Sequence, residues 1–180
     1  MSTSERSREY IFKVCVLGDG AVGKTSLVLQ FCEKRFQESY IMSIGANFAI
    51  KLMQRDKYLV RLQIWDLAGQ KHFQFVRPSF YRGAFSAVFV FDITSRASFD
   101  NIPNWIEEAR NYIPNVPYFL VGNKIDLADE RVVSKKEGQV LAEKIGALKY
   151  YETSAKSDLN IDDMFNHITD EIVRLNLKTK

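Results

Sequence analysis

Cysteine is scarce in this 180-residue chain, with two in all, and neither a C-x-x-C pair nor a neighbouring histidine gives them metal-ligand spacing. A disulfide scaffold is excluded, and Cys15 in an apolar run and Cys32 in a helical stretch read as reduced structural thiols. Proline (4) and glycine (9) are too few for a disordered or collagen-like chain. No apolar run reaches the roughly 18 residues of a membrane span, and Met1 to Tyr10 lacks the apolar centre of a signal peptide. Neither charge sign dominates: 25 basic and 22 acidic residues are scattered, and no basic block marks a nucleic-acid partner. Ser2 excludes N-myristoylation, and the last five residues hold no cysteine for a prenyl group. A soluble, cytoplasmic monomer is expected, reaching a membrane surface only through a lipid anchor outside this sequence.

What remains is an average globular composition, 46% hydrophobic and 26% charged, at a length that suits one domain. We expect a loose N-terminus over 1–9, one domain over 10–176 and a short end over 177–180. Apolar runs alternate with amphipathic segments, the pattern of βαβ units. The runs Ile11–Leu17, Ala87–Phe91 and Tyr118–Val121 read as central strands covered on both faces. Alternation at Phe48-Ile50-Leu52 and Val60-Leu62-Ile64, with Gln54-Arg55-Asp56-Lys57 between, predicts an antiparallel edge hairpin. Helices are predicted after Gly23 and over 97–112, 134–145 and 160–175. Ser134 with Glu137 forms a capping box, Gly146 ends that helix, and Asn160 caps the last one. The expected fold is a doubly wound α/β domain with a mostly parallel six-stranded sheet.

Gly18-Asp19-Gly20-Ala21-Val22-Gly23-Lys24-Thr25 fits G-x-x-x-x-G-K-S/T and follows a strand at the start of a helix, where its chemistry requires it. Glycines let backbone N–H groups turn inward around phosphates, Lys24 reaches the β and γ oxygens, and Thr25 offers a hydroxyl to Mg²⁺. Ser26, next in line, belongs to the same nucleotide-binding stretch. A glycine-rich turn with an exposed lysine is the bland alternative, and the position between strand and helix argues against it.

A phosphate loop alone leaves ATPases, kinases and GTPases open. Asn123-Lys124-Ile125-Asp126 follows a strand, so it emerges at the carboxyl edge of the sheet, where doubly wound folds bind ligands. A carboxylate there accepts two hydrogen bonds from guanine, and adenine has no matching pair of donors. Glu152-Thr153-Ser154-Ala155-Lys156, after the last strand, supplies a second loop on that edge, where the backbone N–H groups at Ser154, Ala155 and Lys156 can meet the base oxygen.

With these residues placed, the chain resembles the Ras superfamily of small GTPases, and within it the Rab branch, over about Ile11 to Leu175. Ile44-Gly45-Ala46-Asn47-Phe48, Leu62-Gln63-Ile64-Trp65-Asp66, Phe80-Tyr81-Arg82-Gly83-Ala84 and Phe91-Asp92-Ile93-Thr94 resemble Rab signatures. The phosphate loop is similar to that of the Rho branch, without room for the Rho insert helix. The resemblance implies a P-loop GTPase that binds GTP or GDP with Mg²⁺, and partners that include an exchange factor, a GTPase-activating protein and effectors. It implies that Asp66-Leu67-Ala68-Gly69-Gln70 is the DxxG segment, with Asp66 a metal ligand through water, Gly69 on the γ-phosphate and Gln70 orienting the attacking water. Phe36 then lies against the guanine, Tyr40 closes over the phosphates, and Ser43 takes the place of the switch threonine as a ligand to Mg²⁺ and γ-phosphate. Phe48, Trp65 and Phe80 form an effector patch. Lys71 stands where relatives carry glutamate. With no arginine in 37–43 to stabilise transition-state charge, hydrolysis is expected to be slow unaided. A module that holds nucleotide without turnover, and an ATP-binding P-loop enzyme, are the competing classes.

Overall fold

The computed structural model describes residues 8–36, 45–55 and 57–177. Strands β1 (Arg8–Leu17), β2 (Ala46–Arg55), β3 (Tyr58–Leu67), β4 (Ser86–Asp92), β5 (Tyr118–Asn123) and β6 (Lys149–Thr153) form one sheet in the order β2-β3-β1-β4-β5-β6. Only β2 runs antiparallel to its neighbour; the other pairs are parallel. Helices α1 (Lys24–Glu33), α2 (Arg77–Tyr81), α3 (Arg96–Asp100), α4 (Ile102–Arg110), α5 (Lys135–Ile145) and α6 (Ile161–Leu177) cover it.

Successive side chains of a strand point to opposite faces, so β1 feeds two cores at once. Val14 and Val16 join Leu27, Phe31, Phe165 and Ile168 under α1 and α6. Cys15 and Leu17 join Ile102, Trp105, Leu141 and Ile145 under α4 and α5. Strands β4 and β5 are buried along their whole length, which explains their unbroken apolar runs. The chain leaves β3 on one side of β1 and returns as β4 on the other, which makes the carboxyl end of β1 the switch point where such sheets bind ligands.

Several boundaries differ from the sequence expectation. The helix expected over 97–112 is two helices, α3 and α4, meeting at Asn101. Pro103 has no N–H for the Phe99 carbonyl and its ring crowds that turn, so one continuous helix cannot form. Gln54 and Arg55 belong to β2, and Arg55 pairs with Tyr58, so the hairpin connection is shorter than the expected four residues. Strand β1 starts at Arg8, where Arg8 and Glu9 pair with Tyr58 and Leu59. Glu152 and Thr153, expected in a loop, complete β6. The capping box at Ser134 and Glu137 forms, and Gly146 ends α5 in the left-handed conformation. Asn160 precedes α6 and its carbonyl accepts from Met164 N, while its side-chain amide donates to the Glu152 carbonyl.

Candidate functional site

The turn from β1 into α1 rises at the switch point, and its backbone has little freedom. Gly18 lies at φ 142°, where a Cβ would stand 2.1 Å from the Val90 carbonyl oxygen. Only glycine fits there. Lys24, at the first turn of α1, folds back so that Nζ donates to the carbonyls of Gly18 (2.8 Å) and Asp19 (2.7 Å). The ammonium thus sits inside the loop, 6% exposed. Burial pulls its pKa down to about 8, against the opposing influence of Asp66 and Asp19.

The end of β3 meets this loop from one side. The Thr25 hydroxyl donates to Asp66 Oδ2 at 2.5 Å, and Asp66 is 1% exposed. Gly69 lies flat against the phosphate loop: a Cβ on it would stand 2.4 Å from the carbonyl carbon of Asp19 and the nitrogen of Gly20. Gln70 follows, half-buried, with extended backbone.

The end of β5 meets it from the other side. Asn123, 1% exposed, donates from Nδ2 to the Val22 carbonyl at 3.0 Å and accepts from Thr153 Oγ1 at 3.0 Å. Lys124 takes a left-handed conformation and pairs with Asp92 at 2.7 Å, while its chain passes beside Gly23. Asp126 is exposed, and Ser154 Oγ donates to its Oδ1 at 2.6 Å. Ala155 is buried and Lys156 exposed on the turn after β6. A phosphate cradle, a hydroxyl–carboxylate pair and a tethered carboxylate therefore share one edge of the sheet.

Phe36 is half-buried against the core beneath α1. Tyr40 and Ser43 lie outside the described residues. The three aromatics of the expected patch are neighbours: Phe48 and Trp65 ring centroids lie 5.0 Å apart, Trp65 and Phe80 5.6 Å, with Phe48 exposed and the other two half-buried. Sequence reasoning missed a second tier. Asp19 Oδ1 accepts from Asn101 Nδ2 (2.6 Å) and Trp105 Nε1 (2.7 Å), and Arg77 forms a two-pronged ion pair with Glu108. No local spacing signals these contacts, because their partners lie 31 to 86 residues apart.

Residues 13–174 match the model of the Ras family. Among curated relatives, the Ras-related protein RIC1 of Oryza sativa subsp. japonica is 43% identical over 91% of this chain and 81% of its own length. The human Ras-related protein Rab-8B is 41% identical over 96% of this chain and 84% of its own. The GTP-binding protein ypt2 of Schizosaccharomyces pombe is 39% identical over 94% and 84%. A family match over most of the chain, with relatives about 40% identical along nearly its whole length, means that this chain belongs to the Ras family of small GTPases, in its Rab branch.

Proposed function

We propose that the residues gathered at the carboxyl edge of the sheet bind a guanine nucleotide and hydrolyse GTP slowly, so that the surface around β2, β3 and Gln70 reports which nucleotide is held. The observation that carries this is the bond from Asn123 to the Val22 carbonyl, which fastens the base-reading segment onto the phosphate loop and makes one site of two motifs. Asp126, steadied by Ser154, accepts from the guanine ring. Lys24 and the backbone N–H groups of Gly20 to Lys24 receive the phosphates.

Thr25 and Asp66 present a hydroxyl and a carboxylate oxygen at one spot, hard donors of the kind Mg²⁺ takes, and they would hold it. Bound there, the ion supplies charge neutralisation to the phosphate oxygens. Gly69 offers its N–H close to the loop that holds the γ-phosphate, and Gln70 orients the attacking water. Arg77 is committed to Glu108, so transition-state charge is left to a group from a partner, worth on the order of 10³–10⁵ in rate. The Phe48, Trp65 and Phe80 rings give effectors an aromatic anchor near the DxxG segment. Membrane traffic is the process that such a switch serves in the Rab branch.

Single-turnover hydrolysis of bound GTP tests this. The native protein should turn over slowly, and Gln70→Leu should lower the rate by at least about tenfold with GTP affinity nearly unchanged. A native protein that never releases phosphate would instead be a nucleotide-holding module.

A further inference from the structure

Arg77 belongs to the second tier of the site and has been given no role in the chemistry, yet it is only 4% exposed. A buried arginine persists where its donors are used, and here they point two ways. Nε and Nη2 take the two oxygens of Glu108 at 2.8 and 2.6 Å. Nη1 turns toward the DxxG segment and donates to the Ala68 carbonyl at 3.4 Å and the Gln70 carbonyl at 3.3 Å. Those two carbonyls flank Gly69.

The guanidinium also lies over the Trp105 ring, 4.3 Å from its centroid. Trp105 in turn holds Asp19 of the phosphate loop. Gly69 lies so close to the Asp19 backbone that a Cβ on it would stand 2.4 Å from the Asp19 carbonyl carbon, which closes a ring of contacts: phosphate loop, α4, Arg77, DxxG backbone, and phosphate loop again. Glu108 accepts a third bond, from the Tyr81 hydroxyl at 2.7 Å, so the anchor on α4 is itself fixed. An ion pair that served the fold alone would need Glu108. It would not need the carbonyls on both sides of Gly69.

We propose that Arg77 is a positioning residue for GTP hydrolysis, bracing the main chain on either side of Gly69 from α4 so that Gln70 is held against the phosphate loop. The proposal rests on the role given to Gln70 above. Arg77 acts through Gln70 and touches no reacting atom. Because in-line attack tolerates little misplacement, loosening this brace should slow the chemical step more than binding.

The test compares native protein, Gln70→Leu, Arg77→Lys and the double variant Arg77→Met with Glu108→Gln, by single-turnover GTP hydrolysis, GTP affinity and melting temperature. The double variant removes the buried pair together, leaving no orphaned charge, and should melt close to the native protein. Lysine keeps a charge for Glu108 but cannot reach the carboxylate and both carbonyls with one planar fork. Hydrolysis should fall by about tenfold or more in both, with GTP affinity within about twofold of native. Native rates in both, with a fall only in Gln70→Leu, would overturn the proposal and leave the site assignment standing. A fall that merely tracks weaker GTP binding or a lower melting temperature in both would overturn it too. Native rates in Gln70→Leu would refute the Gln70 assignment, and the proposal with it.

Discussion

At Gly69 the distance between β3 and the phosphate loop is set by the lack of a side chain. Alanine there would place a methyl 2.4 to 2.5 Å from backbone atoms of Gly18, Asp19 and Gly20, none of which can rotate aside. Overpacking of that kind costs about 1–3 kcal/mol. Gly69→Ala should therefore lower the melting temperature by about 3 °C or more, at roughly 2–4 °C per kcal/mol for a domain of this size, and calorimetry checks it. A residue whose chemistry depends on its immediate neighbours was legible in the sequence. The phosphate-loop glycines, Lys24 and Thr25 were legible as a motif because backbone N–H groups and a helix start must follow one another along the chain. Arg77, Glu108 and Trp105 were not, since an arginine before a proline looks the same whether it is solvated or, as here, buried against an acid 31 residues away.

Helix α5 was legible at both ends because caps are local chemistry. Ser134 Oγ accepts from Glu137 N at 3.2 Å, and the Glu137 carboxylate accepts from Ser134 N at 2.8 Å. Ser134→Ala should cost about 1 kcal/mol and lower the melting temperature by about 2–4 °C. The same box predicts a pH dependence. Arg96, followed by Ser134, holds the Glu137 carboxyl down at about 2, below its ordinary 4.5. A depressed acid stabilises the fold above its unfolded value and loses that contribution as pH falls through the folded one. Glu137→Gln should thus be less stable than native in urea unfolding at pH 7, and the gap should close between about pH 4.5 and 2. Raised salt should narrow it as well, because the Arg96 pair is exposed. A gap that stays constant with pH would mean that the carboxylate contributes nothing. The break between α3 and α4 was carried by Pro103 but masked in the sequence by an apolar period that continues across it, from Phe99 to Ile102, Trp105 and Ile106.

Across the whole molecule, alternating apolar runs disclosed the sheet and its parallel character, and the strand order that puts β1 at the switch point follows from the observed pairing. That order explains how residues from 18 to 155 meet on one edge: β1, β3, β5 and β6 run in one direction and end there together. Two cores, one on each face, pack under those ends, so the loops that follow β1, β5 and β6 all rise from one buried sheet. On the proposed reading, guanine specificity belongs to the assembled edge: Asp126 supplies the carboxylate, Ser154 donates to it, and Asn123 ties the same segment to the phosphate loop. Competition of unlabelled GDP, XDP and ADP against a fluorescent GDP analogue, on the native protein and on Asp126→Asn, tests this most directly. GDP alone should displace the analogue from the native protein, while Asp126→Asn should lose GDP affinity by on the order of a hundredfold and gain XDP. Displacement by ADP as effective as by GDP, or undiminished GDP binding in Asp126→Asn, would contradict the account.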